Sequence, residues 1–583
     1  MSTTCWDWPT ANTQHGMLVA FGEFLSQHGL IERLMQVPIP QKTRTFAPQT
    51  KLVEFLAGIM SGVEYLQDFN DGPHPLAKDS GVARAWGQPS FAHYSGVSRT
   101  LDTCEVQTVA AVEKAINEFS RPFIATPMDD LLRRGLPLVY DFDLTGQAVS
   151  PTSTSYPEVA FGWMNDSVKL GYQLARVCLS PEVGERVWLA GFHHPGDTVS
   201  AAGLRELVEA AEAQTGIRPR RRLELVQQRI EMQRQSITRT RRLLKAQQVK
   251  LARLHQTQLT LHSKIYHAQQ VRKEPISRPK AALLNQQLKG WQKRLLRLET
   301  QLTNSQRVLS KYQRQLLEQE TALAQLLAWR AKLKTDNRTN PNPPPYVEAR
   351  MDAGFATGAN LTWVLEMGYC PNTKAPNGQT ATALRAHLPR HRRWVKVGDN
   401  AEMIGWGEYR LHGCPYPLTA ALERFKVGRA YKHAVLIHYR DDGLCPILPV
   451  WFHHYNQRQT IEAGNKEMKG TFFVQHLMSR SPVGIRLQVL FTGLAANVVR
   501  WCAPWLKSCV AEATPKLNRT LNSPKHLVRV AANSAALVQQ SSCGTALQFA
   551  PESSLPGVTL FLKGVPAFQP ALAFHQPYRI ASG

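Results

Sequence analysis

The sequence is short of acidic side chains: 44 Asp and Glu face 69 Lys and Arg, which leaves a formal net charge of +25. Charged residues of both signs make up only 19% of the chain, while 43% is hydrophobic. That balance argues against a disordered chain and for a folded one with sizeable cores. A folded chain with such an excess of positive charge is typical of proteins that bind a polyanion such as nucleic acid.

Cysteine spacing and long hydrophobic runs exclude further classes of protein. The nine cysteines are an odd number and no two are spaced as Cys-x-x-Cys, which argues against a disulfide scaffold or a zinc ribbon. The longest apolar stretch, 487–499, contains Gln488 and Asn497 and is shorter than a membrane span. The first residues do not resemble a secretory signal. We therefore expect a cytoplasmic protein without a membrane partner.

The positive charge is concentrated in one segment. Residues 218–335 hold 27 Lys and Arg against 6 Asp and Glu, a net of +21. Their apolar residues recur every seven positions, on either side of a Pro-containing break at 274–279, which predicts an antiparallel coiled-coil hairpin. The scarcity of acidic partners favours an arm that contacts phosphates over a solvated charged face. The two stripes are Leu223, Ile230, Ile237, Leu244, Leu251 and Ile265, and Leu288, Leu295, Leu302, Leu309, Leu316 and Leu323.

Around this segment, helical spacing gives way to alternating strands and helices, which predicts an α/β fold. Residues 16–135 read as helices, either a structural cap or a DNA-binding domain, and 445–452 reads as the last strand of a β-rich region. The predicted organisation is a helical N-terminal DNA-binding domain (1–134), an α/β core in three parts (135–217, 346–389 and 454–505), the basic hairpin and its proline-rich linker (218–345), a β-rich insertion (390–453) and a basic C-terminal domain (506–583).

Three acidic residues occupy positions that suit metal-dependent chemistry. Asp143 and Asp352 each lie at the end of an apolar strand, and Glu462 lies in a polar helix. Carboxylates at strand ends are costly unless they are neutralised. A pair of divalent ions neutralises them, and two such ions promote phosphoryl transfer. Oxygen ligands suit Mg²⁺ or Mn²⁺ rather than zinc.

The helix that carries Glu462 also carries cations at helical spacing. Arg458 lies four residues before Glu462, Tyr455 lies one turn before Arg458, and Lys469 lies two turns after Glu462. One helix face would therefore combine a metal-binding carboxylate with phosphate-binding cations. Taken alone, the Arg458–Glu462 spacing also fits an ordinary salt bridge.

Tyr455, Arg458, Glu462 and Lys469 reproduce the Y-(2)-R-(3)-E-(6)-K signature of bacterial insertion-sequence DDE transposases, and the chain resembles the IS-four-type superfamily typified by the Tn-five transposase. Asp143-Leu144-Thr145 resembles the first acidic motif of that family. Arg350-x-Asp352-x-Gly354-Phe355 resembles its second. Together the matches cover roughly residues 135–216 and 346–502.

The resemblance implies a ribonuclease-H-like core with a mixed sheet, in which Asp143, Asp352 and Glu462 hold two Mg²⁺ (or Mn²⁺) ions. It also implies that Tyr455, Arg458 and Lys469 bind DNA. The expected activity is that of a nucleoid-associated transposase that binds terminal inverted repeats, cleaves the element ends and joins their 3′-hydroxyls to target DNA. The expected partners are double-stranded DNA, as element ends and as target, and a second copy of the chain in the synaptic complex.

Some alternatives stay open at the level of the sequence. Asp141 is two residues from Asp143 and points to the same side of a strand, so it rivals Asp143 as a ligand. Asp399 rivals Asp352 more weakly. The basic hairpin departs from the family pattern, and a non-catalytic DNA-binding or bridging protein derived from a transposase is the alternative function.

Overall fold

A computed structural model describes residues 10–164, 166–180, 185–344, 346–388, 393–439, 447–510, 514–541 and 544–562. The chain divides into two compact units. We call Met1–Arg220 with Asn342–Gly583 the main unit, and Arg221–Pro341 the arm.

The first part of the main unit is helical and leads into the strands of the large sheet. Its elements are β1 (Ala11–Thr13), α1 (Gly16–Gln27), α2 (Leu30–Met35), α3 (Pro48–Ser61), α4 (Asp68–Asp71), α5 (Ser80–Ala85), α6 (Tyr94–Thr103), α7 (Val106–Arg133), β2 (Leu138–Ala148), β3 (Ala160–Met164), β4 (Ser167–Leu179), β5 (Val187–Pro195) and α8 (Ser200–Thr215).

The remaining elements follow in chain order. The arm contains α9 (Leu223–Val271) and α10 (Arg278–Arg338). The main unit continues with β6 (Val347–Met351), α11 (Gly358–Glu366), β7 (Cys370–Lys374), α12 (Gly378–Ala386), β8 (Val395–Lys396), β9 (Ala401–Tyr409), β10 (Leu418–Val427), β11 (Ala430–His438), α13 (Leu448–Asn456), α14 (Gln459–Thr471), α15 (Pro482–Ser508), α16 (Pro515–Leu521), α17 (Pro524–Arg529), β12 (Ala536–Ser541), β13 (Gly544–Phe549) and β14 (Thr559–Leu562).

The main unit is built on a ten-stranded mixed sheet in the order β3-β4-β2-β6-β7-β11-β10-β9-β8, with β5 on β4 as well. β2, β6 and β7 are parallel neighbours, whereas β4 pairs antiparallel with β2 and with β5. The prediction of an α/β fold with a mixed sheet is confirmed. Strand β6 is buried throughout and β2 is buried from Leu138 to Asp143, as expected where helices cover both faces of a sheet.

The β-rich region joins this sheet through β11, which pairs antiparallel with β7. The strand predicted at 445–452 is wrong from residue 448 onward, because Leu448–Asn456 is helix α13; residues 445 and 446 lie outside the described residues. Pro449 stands in the first turn of α13, where its missing N–H costs no helical hydrogen bond. Trp451 and Tyr455, four residues apart, share the buried face of this helix.

The N-terminal helices do not have a separate core. One hydrophobic cluster joins residues of α1, α3 and α7 to residues of α15 and of the small sheet β1-β12-β13-β14. The polar residues inside the apolar helix α15 are satisfied. Asn497 accepts a hydrogen bond from the Trp188 N–H (2.9 Å) and donates one to its carbonyl (2.8 Å), and Gln488 donates to the His476 carbonyl at 2.7 Å.

Helix α15 is also the one described helix whose length and composition would allow it to cross a membrane. However, 72% of its apolar window is buried inside the protein. Buried core helices have the same character, so this feature is weak support for a membrane role.

The two helices of the arm lie antiparallel to each other. Gln233 donates to the Gln319 carbonyl at 2.8 Å, and Gln247 donates to the Ser305 hydroxyl at 2.6 Å, so rising numbers in α9 meet falling numbers in α10. At the open end of the pair, the Arg221 N–H donates to Asn337 Oδ1 at 2.8 Å. Both ends of the arm therefore lie side by side.

A carboxyl group is buried in helix α3 of the main unit. Glu54 is fully buried, and its Oε1 accepts one hydrogen bond, from the Ala92 N–H at 2.9 Å. Its Oε2 has no hydrogen-bond partner among the described residues. Burial raises the pKa of Glu54 to about 8, although the Ala92 hydrogen bond and the charge of Lys51 oppose that shift.

We expect Glu54→Gln to stabilise the main unit increasingly as the pH rises from 4.5 to 8. In this window the folded wild type still holds a proton that the unfolded chain has lost, so wild-type stability falls with rising pH. The glutamine variant does not show this fall, and the gain should reach about 3–5 kcal/mol above pH 8. Urea unfolding at pH 5 and pH 8.5 measures it. Glu118→Gln, at a carboxylate that is 46% exposed, is the control, and equal pH dependence in both variants would contradict the assignment.

Candidate active site

Two of the three predicted carboxylates lie next to each other on neighbouring strands. Phe142 of β2 stands opposite Met351 of the parallel strand β6. Asp143 and Asp352 follow these two residues, so they lie level with each other at the edge where β6 ends. The prediction that a strand ends at Asp143 is wrong, because β2 continues to Ala148 in its ladder with β4. Asp143 is almost buried, whereas the side chain of Asp352 is 49% exposed. The edge thus presents one sheltered and one accessible carboxylate.

The helix predicted to carry Tyr455 and Glu462 together is broken between them. Tyr455 lies in α13, Glu462 lies in α14, and Arg458 is the N-cap residue directly before α14. In an unbroken helix the His454 carbonyl would accept from the Arg458 N–H. Instead it accepts from the Arg350 guanidinium at 2.6 Å, and the Arg458 N–H turns to the Tyr455 carbonyl. A buried arginine from β6 therefore causes the break.

Arg458 brings the three carboxylates together. Its guanidinium lies 3.3 Å from Asp143 Oδ1, 3.8 Å from Asp352 Oδ1 and 3.1 Å from Glu462 Oε1. Burial disfavours its charge, but Tyr455 and the three carboxylates together raise the pKa of Arg458. Asp143 and Glu462, 319 positions apart in the chain, thus converge with Asp352 on one cation. The family resemblance implied that these three acids come together, although around metal ions.

The surroundings of Asp143 disfavour its charged form. Burial raises the pKa of Asp143 to about 6; Arg458 opposes the shift, whereas the charges of Asp352 and Glu462 add to it. Asn465 also holds Asp143, because its side-chain amide donates to Asp143 Oδ2 at 2.6 Å. Arg458 is the cation that all three carboxylates contact, and the charge of Asp143 also acts on Arg176 and on Lys469.

Sequence reasoning missed two residues that support Asp143. Arg176 of β4 stands directly across from Asp143 in the antiparallel ladder and is 2% exposed. Its guanidinium donates to Asn465 Oδ1 at 3.1 Å, so Asn465 bridges the arginine and the aspartate. Two signals were present in the sequence: an arginine inside the apolar run 169–179, and an asparagine three residues after Glu462, on the same helix face.

The two other predicted DNA-binding residues lie at different depths. Tyr455 is 4% exposed, and its hydroxyl donates to the Met351 carbonyl at 3.3 Å. Lys469 is partly buried and donates to Thr145 Oγ1 and to the Gly146 carbonyl, each at 2.9 Å. Burial lowers the pKa of Lys469; Arg176 adds to this effect and Asp143 opposes it. Tyr455 therefore contacts β6, and Lys469 contacts β2, the two strands that lead to the aspartates.

The rival aspartates have other surroundings. Asp141 is fully buried and binds Arg350 through both oxygens, at 2.5 Å and 2.9 Å, while Ser180 donates to one of them at 2.5 Å. This closed arrangement is that of a structural ion pair. Asp399 is exposed, between β8 and β9. Neither forms an ion pair with Arg458, whose partners are Asp143, Asp352 and Glu462.

The oxygen donors of the site fit a divalent cation, but the three carboxylates are placed around the guanidinium of Arg458. Three carboxylates are the hard oxygen donors that Mg²⁺ and Mn²⁺ prefer, and Asp352 and Glu462 are about half exposed. In the described part of the chain, however, no three His, Cys, Asp or Glu side chains are grouped closely enough to hold a metal ion. Binding of an ion therefore requires the carboxylates to move from Arg458 toward it.

Comparison with known proteins adds no relative: neither the family models nor the curated proteins give a match to this chain. The function therefore has to be argued from the site itself.

Asp143→Asn and Asp141→Asn should change stability in opposite directions, although the residues are two positions apart. Between pH 3.8 and 6 the folded wild type retains a proton on Asp143 that the unfolded chain loses, so stability falls as the pH rises. Asp143→Asn should therefore stabilise the protein by about 1–3 kcal/mol at pH 8. Asp141→Asn leaves Arg350 without its charge partner and should cost about 3–5 kcal/mol.

Urea unfolding at pH 4 and pH 8, without divalent cations, measures both variants. Each serves as the control for the other, since both replace one carboxylate on the same strand. Destabilisation by Asp143→Asn at pH 8 would show that its carboxylate is an ordinary structural partner of Arg458.

Proposed function

We propose that the protein is a DNA transposase that cleaves element ends and joins their 3′-hydroxyls to target DNA. The observation that carries the proposal is the convergence of Asp143, Asp352 and Glu462 on one guanidinium at a sheet edge. The three belong to the sequence motifs that resemble those of DDE transposases. Carboxylates gathered at an accessible edge are the chemistry that metal-dependent phosphoryl transfer requires.

The strand order supports the finer proposal of a ribonuclease-H-like core. In this fold the first and fourth core strands lie side by side and a late helix supplies the third acid. Here β2 and β6 are parallel neighbours that carry Asp143 and Asp352, with β4 and β5 on one side and β7 on the other. Helix α14 supplies Glu462.

The lengths of the two arm helices and the burial of their apolar stripes support the proposal that the arm is a basic coiled-coil hairpin. Its helices are 49 and 61 residues long, and members of both predicted stripes are buried, including Ile230, Ile237 and Leu302. Polar pairs such as Gln247–Ser305 lie in the seam, and polar residues at such positions fix the register of paired helices.

The proposed reaction uses the residues of the site in distinct roles. Two Mg²⁺ (or Mn²⁺) ions held by Asp143, Asp352 and Glu462 would promote attack on a phosphodiester and stabilise the leaving oxygen. Arg458 and Lys469 bind the phosphates of the cut end. Asn465 and Arg176 orient Asp143. Water first cleaves the P–O bond at the element end and frees a 3′-hydroxyl. That hydroxyl then attacks a target phosphodiester in line, forming one P–O bond while another breaks.

The alternative is a non-catalytic DNA-binding or bridging protein, favoured by the contact of Arg458 with all three carboxylates. Incubation of the full chain with a plasmid that carries the DNA flanking its gene distinguishes the two. Mg²⁺-dependent strand breaks at terminal inverted repeats support the transposase. DNA binding without any breaks supports the alternative.

Arg458→Ala and Lys469→Ala should weaken productive binding of the DNA end while divalent-cation binding persists. Each removes a charge-assisted phosphate contact worth about 1.5–3 kcal/mol. The loss should be largest in strand transfer from pre-nicked ends, where the transferred strand has to be held. Lys466→Ala, at an exposed lysine of the same helix, is the control. Unchanged strand transfer by both variants would contradict the phosphate-binding role.

A further inference from the structure

The hairpin of β10 and β11 extends far beyond the sheet edge that holds the carboxylates. Arg350 stands opposite Asn372, and Lys374, the last residue of β7, stands opposite Leu436 of β11. Asp352 and Leu436 are therefore level with each other across the sheet. Strand β11 extends beyond Leu436 by six more residues, to Ala430 at the hairpin tip. At about 3.4 Å per residue, the tip lies about 20 Å beyond the level of the carboxylates.

The base of this hairpin is stiffened on both faces. On one face, Arg424 pairs with Glu402 at 2.5 Å and lies over the rings of Trp394 (4.2 Å) and Tyr431 (5.0 Å). On the other face, Lys374 pairs with Glu423 at 3.0 Å and lies 5.6 Å from the ring of Tyr455. Since Tyr455 precedes Arg458 by three residues, this face adjoins the candidate active site.

The tip carries positive charge and exposed apolar groups. Lys426, Arg429 and Lys432 are exposed, and within the described residues no ion pair with a carboxylate is found for any of them. Val427 and Tyr431 are 46% and 51% exposed. Gly428, with a φ of +61°, forms the tight turn with Arg429. The tip is thus a narrow two-stranded ribbon with basic side chains around an apolar end.

We propose that the β10–β11 hairpin is a DNA-binding finger that enters the major groove of the duplex next to the cleavage site. A two-stranded ribbon fits the major groove, which is about 12 Å wide. Unpaired cations on both strands suit the phosphates on either side of the groove, and the exposed Val427 and Tyr431 suit contacts with base edges. This inference rests on the proposed function, because it takes the DNA at the sheet edge as the partner.

The test compares Lys426→Ala/Arg429→Ala/Lys432→Ala with wild type on a duplex that contains the element end. The matched control is Arg205→Ala/Arg410→Ala/Arg480→Ala, which removes the same charge from three exposed positions of the main unit outside the hairpin and outside residues 1–134. The hairpin variant should reduce the slope of log affinity against log salt by about 2–3. It should also lose protection of guanine N7 near the cut against dimethyl sulfate, and the control should retain both.

The outcomes separate this inference from the proposed function. Wild-type cleavage with the same salt slope and the same guanine protection in the hairpin variant overturns the finger and leaves the transposase intact. Hairpin-dependent DNA binding without any Mg²⁺-dependent cleavage supports the finger and overturns the transposase. If the triple variant does not fold, Arg429→Glu, a single change in the turn, is tested against Arg410→Glu, at an arginine that is 69% exposed, with the same two readouts.

Discussion

Replacing Asp143, Asp352 or Glu462 by alanine, one at a time, is expected to abolish Mg²⁺-dependent cleavage of element-end DNA. The expected loss is at least about a hundredfold, since even residues that only support a metal ligand cost 10–100-fold when removed. DNA affinity should change little, because it comes mainly from cations elsewhere in a chain with a net charge of +25.

The measurement combines cleavage of a labelled duplex with a gel shift on the same preparations. Asp399→Ala is the matched control: it removes an exposed carboxylate that the sequence offered as a rival of Asp352. Cation binding supplies a second readout: Mg²⁺ should raise the unfolding temperature of wild type and of Asp399→Ala, but not that of the three site variants. Cleavage at the wild-type rate by Asp143→Ala would refute its role as a ligand.

Deletion of the arm is expected to leave a folded main unit with much weaker DNA binding. The arm, Arg221–Pro341, holds 26 Lys and Arg against 7 Asp and Glu, a net of +19. The buried residues of the main hydrophobic cluster all belong to the main unit. Since Arg221 and Asn337 are in contact, a short Gly/Ser linker can replace the arm without a long span to bridge.

Affinity measured against salt concentration decides whether the arm contacts DNA. Counterion release makes the slope scale with the number of phosphates contacted, so the deletion should flatten it. Helix α9, with 49 residues, is about 74 Å long, or about two turns of DNA. The footprint on end DNA should therefore shrink by up to about 20 base pairs. Equal slopes and footprints would instead make dimerisation, measured by sedimentation, the leading role.

The sequence predicts that Asp143, Asp352 and Glu462 come together, and in the structure all three lie beside Arg458. Local motifs carry that prediction, whereas the residues that support Asp143 belong to no motif. The roles of Asn465 and Arg176 depend on the pairing of β4 with β2. The sequence of either strand alone does not predict which strand it pairs with. The choice between Asp141 and Asp143 likewise depends on Arg350, which reaches Asp141 from a neighbouring strand.

Local patterns also explain two of the errors in secondary structure. The apolar run before Tyr455 read as a strand because it is rich in β-branched and aromatic residues, yet Trp451 and Tyr455 have helical spacing. The helix through Arg458 read as continuous because its sequence contains no proline or glycine at the break. The break comes from the capture of the His454 carbonyl by Arg350, a tertiary contact that overrides local propensity.

The most direct measurement of the central claim is strand cleavage at the boundary between the element and its flanking DNA. Full-length protein is incubated with a supercoiled plasmid that carries both terminal inverted repeats, with and without Mg²⁺, beside the Asp352→Ala variant. The account predicts Mg²⁺-dependent ends with 3′-hydroxyls at the inverted repeats, made by wild type and lost in the variant. Absence of such ends with wild type, or equal cleavage by both proteins, would contradict it.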